Sequence, residues 1–230
     1  LFPRLLDAVS HPALAASVID LANFVTSEGL VKQHPAHDRV TRLVGLLGEL
    51  NHRLTALEES LGAAEGRSDQ LAAAVEESVS LAVALCRAWA LLGDEVAVGK
   101  LFQTLELRHR RLRTEAAAAL VALEQPAGIE ALAELAAEPV VRLRVLAYAD
   151  ELGCLDHIGE AYRTDEARGE AELALWLSQP GQMGLPPTSL ECVDRRLQYW
   201  PGYDDEINCF MFRYSYRFAA GELSNIGIAG

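Results

Sequence analysis

An apolar template that recurs along the middle of the chain constrains the fold more than any other sequence feature. It places apolar residues at positions 0, 4, 7, 8 and 11, which is the spacing of one face of an α-helix. The template fits Leu81, Leu85, Ala88, Trp89 and Leu92, then Leu112, Ala116, Ala119, Leu120 and Leu123, then Val141, Val145, Tyr148, Ala149 and Leu152. A degenerate fourth copy keeps Leu173, Ala174 and Leu177 but begins with Glu166 and Glu170.

A shorter amphipathic segment follows each of the first three copies. Asp94 is a good N-cap for the first segment, and Pro126 suits the first turn of the second. The third segment carries Ile158, Ala161 and Tyr162. The repeating unit is therefore a helix, a tight turn and a second helix. Because such a hairpin cannot cover its own apolar faces, the sequence predicts that neighbouring hairpins stack into a solenoid.

The stretch RTEAAAALVALEQPAGIEALAELA and its flanking copies, about residues 78–177, resemble the HEAT-repeat family in its short bacterial form, named after phycobilisome lyases. The resemblance implies antiparallel helix pairs that build a curved rod, usually a scaffold that binds other proteins. We therefore expect a mainly α fold, a right-handed helical-hairpin solenoid with a short C-terminal β-ribbon. The expected domains are an N-terminal helical cap (1–66), the HEAT-like repeats (67–177), and a linker plus β-hairpin (178–230).

The regions before and after the repeats have their own patterns. A helix should begin near Pro12 and end near Gly29, and a longer helix should follow Pro35. The near-heptad stripe of that longer helix fits either a coiled-coil seam or the buried face of an antiparallel hairpin. The segment EGRS, residues 65–68, should form the next turn.

The segment after Leu177 changes to a proline- and glycine-rich stretch that cannot continue a helix. We expect a short helix at SLECVDRRL, then a strand at INCFMFRYSYRF and a partner strand at LSNIGIAG. One face of the first strand carries Phe210, Phe212, Tyr214, Tyr216 and Phe218. Because a two-stranded ribbon is not stable alone, this aromatic face should pack on the last helices, on a continuation of the chain, or on another molecule.

Charge and hydropathy exclude some classes of function. The net charge of −13 repels phosphate backbones and disfavours nucleic-acid binding. No apolar run reaches the roughly 18–20 residues of a membrane span, and we find no signal peptide. These features predict a cytoplasmic protein, and the family resemblance implies a bacterial one. The sequence LFPRLL at the start suggests a fragment of a longer protein.

A basic run at the start of the second repeat contains His109 and the arginines Arg108, Arg110, Arg111 and Arg113. Cations at a helix N-terminus oppose the helix dipole, so a nearby carboxylate should offset them. The repeat register predicts Glu138 for this role. Three interpretations remain: a solvated, partly paired loop, a surface for an acidic protein partner, or a nucleic-acid contact.

Other polar residues give no strong sign of chemistry. Cys86, Cys154, Cys192 and Cys209 lack C-x-x-C spacing and fit free thiols, although a disulfide between Cys192 and Cys209 remains open. We interpret His34, His37 and Asp38 as surface polar residues at a helix start, because no further metal ligands accompany them. We predict no catalytic residues, no cofactor and no metal.

The leading functional hypothesis is a non-enzymatic protein–protein interaction scaffold with an unknown protein partner and no membrane association. The candidate partner-binding residues are Arg108, Arg110, Arg111, Arg113, Phe210, Phe212, Tyr214 and Tyr216. The family resemblance implies one alternative, a chromophore lyase or related modification enzyme. A second alternative is nucleic-acid binding through a basic groove. The sequence does not predict the oligomeric state.

Overall fold

The computed structural model describes residues 12–63, 69–199, 202, 204–219 and 221–230. Within them, eight α-helices precede a three-stranded antiparallel sheet, which confirms the predicted mainly helical class. The helices are α1 (Pro12–Ser27), α2 (Val40–Ala63), α3 (Asp69–Leu92), α4 (Val98–Leu105), α5 (Arg110–Ala122), α6 (Pro126–Leu135), α7 (Pro139–Glu151) and α8 (Asp165–Leu177), and the strands are β1 (Ser189–Tyr199), β2 (Glu206–Phe218) and β3 (Gly221–Ala229). The chain forms two compact units, Leu1–Ala131 and Leu132–Gly230, and this boundary falls inside the predicted repeat segment.

The core of the first unit is built around α3, which packs against α1, α2 and α5. Helix α4 packs against α2 and α5. Helix α1 therefore contacts α3, α3 contacts α5, and α2 contacts α4. The buried face of α3 and α5 contains the template residues Leu81, Leu85, Ala88, Trp89, Leu112, Ala116, Ala119 and Leu120. The predicted helical periodicity is therefore confirmed for the first two copies.

The N-terminal helices also agree with the sequence pattern. Helix α1 includes Pro12 as its first residue, and Gly29 follows its end with a φ of +67° that L side chains rarely adopt. The stripe of α2 is buried in the core of the first unit, which favours a packed helical hairpin over a coiled-coil seam. Residues 1–11 and the predicted turn at 65–68 lie outside the described residues.

Gly128 allows α6 to approach α5 closely. A Cβ atom added at this position would lie 2.7 Å from both the Ala117 carbonyl oxygen and the Val121 backbone nitrogen. Both atoms belong to the backbone of α5 and cannot move aside as a flexible side chain would. Glycine is therefore required by the packing of these two helices.

Within the second unit, α7 and α8 pack against each other, and the third template copy supplies buried residues of α7. The predicted second helix after this copy is wrong, because two 3₁₀ turns, Leu155–His157 and Glu160–Tyr162, occupy the segment. Gly153 follows α7 with a φ of +69°, and Gly159 separates the two turns. Glycine lowers helix stability, so this short segment cannot propagate an α-helix, although Ile158 is still buried.

The C-terminal region contains one more strand than the sequence predicted. The helix expected at SLECVDRRL is wrong, since Ser189–Tyr199 forms β1 and pairs antiparallel with β2. A bulge between Cys192 and Asp194 shifts the register and interrupts the alternation of side chains. The ribbon of β2 and β3 is confirmed, with β2 in the middle of the sheet.

Candidate functional site

The four arginines of the basic run lie partly in a loop and partly in a helix. Arg108 lies in the loop before α5, whereas Arg111 is within α5 and close enough to Asp20 of α1 to influence that carboxylate. Arg110 and Arg113 are engaged in contacts of their own. These interactions agree with the interpretation of a partly paired loop.

Glu58 of α2 anchors the loop that leads into α5. Its carboxylate accepts hydrogen bonds from the backbone N–H groups of Arg108, at 2.9 Å, and His109, at 3.1 Å. The His109 Nδ1 in turn accepts the N–H of Leu112 and caps α5. Burial lowers the pKa of His109, and nearby carboxylates including Glu58 oppose that shift. Glu58 thus places a carboxylate beside His109. The role predicted for Glu138 beside the basic run stays a prediction.

His34 is a buried structural residue, and its interpretation as a surface residue is wrong. Its Nδ1 accepts the backbone N–H of Ala36 at 3.2 Å, so Nε2 carries the proton and donates to Asn23 Oδ1 at 3.0 Å. Burial lowers the pKa of His34 to about 4. His37 and Asp38 lie on the surface and contact each other. Among the described residues, no group of three His, Cys, Asp or Glu side chains could hold a metal ion.

The aromatic face of β2 is placed mostly in the core of the second unit. Phe210 and Phe212 are buried against α8, and Tyr216 is fully buried. The Tyr216 hydroxyl donates a hydrogen bond to the Leu185 carbonyl oxygen at 3.1 Å. Tyr214 is half-buried. Of the three surroundings that the sequence allowed, the face therefore packs on the last helix, where it stabilises the sheet.

Arg142 of α7 is a buried cation that explains the degenerate fourth template. Its guanidinium donates hydrogen bonds to the Ala136 carbonyl at 2.7 Å, the Ala167 carbonyl at 2.8 Å and the Glu170 carboxylate. The centre of the Tyr162 ring lies 5.3 Å from the same guanidinium. Glu170 stands where the template calls for an apolar residue because it neutralises Arg142. This network holds the helices of the second unit together.

A small cleft of about 220 Å³ lies beside this network and includes Cys192 of β1. Burial raises the pKa of the Cys192 thiol, and Glu166 adds to the rise, so the nucleophilic thiolate is disfavoured. The Glu166 carboxylate is paired with Arg195. All four cysteines are free, so Cys192 and Cys209 form no disulfide. The Cys192 thiol is therefore not an activated nucleophile.

A polar groove of about 580 Å³ lies in the first unit along α2 and α4. Its buried Asn51 donates to the Lys100 carbonyl at 2.9 Å and accepts from the Thr104 hydroxyl at 3.0 Å. Glu58, which also lines the groove, is bound to the backbone of the loop before α5. Asn51 and Glu58 thus connect α2 to α4 and to the loop before α5.

An apolar groove of about 490 Å³ lies in the second unit between α8 and β3. Helix α8 contributes Glu172, Leu173 and Trp176, and the strand side contributes the consecutive residues 226–230. The Trp176 residue is 48% exposed, and Ile226 and Ile228 are exposed to a similar extent. Sequence analysis missed this groove. The signal available to it was Trp176, a large aromatic residue at a position outside the apolar template.

Comparison with known proteins identifies no relative: no protein-family model, no curated protein and no solved structure matches this chain. Within the part of the chain that the structure describes, no helix has the length and hydropathy to cross a bilayer.

Proposed function

We propose that this chain is a non-enzymatic protein-binding module built from HEAT-like helical hairpins. In this proposal the hairpins form a solenoid, and the apolar groove between α8 and β3 receives a partner protein. The solenoid is supported by the contacts of the first unit, where α1, α3 and α5 pack in succession and α2 packs on α4. Such layered contacts between successive hairpins are typical of helical repeats.

The exposure of the groove is the observation that carries the proposed function. Trp176 of α8 and Ile226 and Ile228 of β3 line the groove and leave large apolar side chains in contact with water. Grouped apolar side chains on a surface are typical of protein-interaction sites, and tryptophan often dominates the binding energy at such sites.

The arrangement of polar groups favours this function over a chromophore lyase. A lyase needs a deep apolar pocket into which several polar or charged groups converge. Glu172 is the charged side chain among the residues that line the apolar groove. In the polar groove of the first unit, the side chains of Asn51 and Glu58 are hydrogen-bonded to neighbouring segments. His34, Arg142 and Glu58 are each engaged in holding the fold together.

Affinity capture from the source cell tests the proposal, with the purified chain as bait. A double variant, Trp176→Gln with Ile226→Thr, makes the groove polar at positions that are already exposed. The matched control, Phe24→Gln with Leu30→Gln, removes one exposed aromatic and one exposed aliphatic residue from the first unit. We expect wild type and the control to retain the same partner and the groove variant to lose it. Equal retention by all three chains would reject the proposal.

A further inference from the structure

We propose that the free edge of β3 binds an extended segment of a partner protein, which adds a fourth strand to the sheet. The segment alternates apolar residues with others and carries a lysine or arginine that pairs with Glu172. This inference rests on the proposed function and specifies its surface and its partner. Strand addition of this kind uses main-chain hydrogen bonds for affinity and side-chain contacts for specificity.

The backbone of β3 presents hydrogen-bonding groups at the edge of the sheet. Among the described residues, β3 pairs with β2 and with no other strand. The Ser215 carbonyl on β2 accepts the N–H of Thr188, on the β1 side, so Ser215 points its backbone groups away from β3. Ser224, which lies opposite Ser215, must therefore direct its own N–H and C=O groups outward.

Ile226, two residues after Ser224 on β3, has the same backbone orientation. The Ile226 N–H donates a hydrogen bond to the Asn225 side-chain oxygen at 2.8 Å. Because backbone orientation alternates along a strand, Ser224, Ile226 and Ile228 all face the open edge. The ladder to β2 uses the residues between them, so the outward groups of Ser224 and Ile228 can pair with another strand while the sheet stays intact.

The two edges of the sheet differ in the features that normally prevent unwanted pairing. Strand β1 carries four charged side chains and a bulge, and both features discourage an added strand. Strand β3 carries a single charged residue, Glu222, and neither lysine nor proline. The protection of one edge and the openness of the other indicate that β3 is the edge that pairs.

The apolar groove borders β3. Residues 226–230 line it consecutively, and Cys209 and Tyr214 of β2 line it as well. The groove therefore lies between α8 and the sheet and extends to the β3 side of the sheet. An added strand would place alternate side chains against Leu173 and Trp176.

Charge decides between a different protein and a second copy of this chain. Glu172 lines the groove, is exposed, and has no ion-pair partner among the described residues. A copy of β3 would bring no cation to Glu172, and two copies would each carry a net charge of −13. A segment with a basic residue satisfies the carboxylate and is attracted by the acidic chain.

Selection from a phage library of random linear nonapeptides, which match β3 in length, tests this proposal on the full chain. We expect the enriched peptides to alternate apolar residues and to contain lysine or arginine. The variant Ser224→Pro removes the outward N–H and should weaken the binding of these peptides at least about tenfold. The control variant Ser224→Thr keeps the N–H and should bind as wild type does.

A second variant, Glu172→Lys, tests the proposal even if the proline variant does not fold. Peptides selected on Glu172→Lys should carry acidic residues in place of basic ones. The proposal is rejected if Ser224→Pro folds and binds the peptides normally, if Glu172→Lys leaves the selected charge unchanged, or if no peptide is enriched. A dimer that Ser224→Pro converts to a monomer would identify a second copy as the occupant and also reject it. Loss of the cellular partner in the groove variant but not in Ser224→Pro would reject strand pairing while the proposed function stands.

Discussion

The Nε2 atom of His34 lies 3.0 Å from the Oδ1 atom of Asn23, and this contact connects the α1–α2 loop to the core of the first unit. Asn23 continues the chain of hydrogen bonds by donating its amide to the Ala84 carbonyl of α3 at 2.9 Å. Because His34 Nδ1 already accepts a backbone N–H, a proton on that atom would leave two donors facing each other. The fold therefore requires a neutral imidazole.

The His34 contact predicts that acid weakens the first unit. The pKa of His34 is about 4 in the fold, against 6.5 when unperturbed, so the unfolded chain binds the extra proton more readily. Stability from this group is complete above pH 6.5 and declines as the pH falls towards 4. Between pH 7.5 and 5.5 the free energy of unfolding should fall by about 1.5 kcal/mol more in wild type than in His34→Gln. Urea titrations of both chains measure the difference, and parallel pH profiles would contradict the prediction.

The buried arginine of α7 predicts unequal costs for two carboxylates one turn apart on α8. Glu170→Gln leaves the Arg142 side chain, which is 3% exposed, without its counter-ion. Glu166→Gln leaves Arg195, whose side chain is 62% exposed and can be solvated. We expect the first substitution to lower the free energy of unfolding by roughly 2–4 kcal/mol and the second by less than about 1 kcal/mol. Denaturant unfolding of the two variants provides the comparison, and equal losses would show that the Arg142 pair is not decisive.

The close packing of α5 and α6 predicts opposite effects of alanine at two helical glycines. Gly128→Ala forces a Cβ against the backbone of α5 and should destabilise the chain by about 1–3 kcal/mol. Gly99→Ala in α4 meets no atom within 4 Å and should stabilise it by roughly 0.5–1 kcal/mol, because alanine favours helix. Thermal melting distinguishes the two variants. A stabilised Gly128→Ala chain would disprove the close helix approach.

The repeat register predicts the effect of a charge in the core of the first unit. Leu120 is a template residue of α5 and is fully buried, so Leu120→Asp should cost several kcal/mol and unfold much of this unit. Leu21→Asp introduces the same charge at an exposed position of α1 and should cost less than about 1 kcal/mol. Circular dichroism during urea unfolding tests both. Unchanged unfolding of Leu120→Asp would contradict the assigned template.

Local patterns predicted the helices of the first unit because periodicity reports which face of a helix avoids water. The same reasoning failed for Ser189–Tyr199, where pairing with β2 overrides a sequence that also suits a short helix. It failed again after Leu152, where two glycines and a short length prevent helix propagation. For the site, sequence analysis selected the aromatic face of β2, and the structure buries most of that face under α8.

The amino-acid sequence by itself determined the mainly helical class, the buried faces of α3, α5 and α7, and the ribbon of β2 and β3. These features follow from spacing along the chain, which decides locally which side chains leave water. The tertiary structure decided that His34 is buried, that Glu170 neutralises Arg142, and that the open groove lies beside Trp176 and β3. Such features depend on residues that are distant in sequence and meet only after folding, so no local pattern contains them.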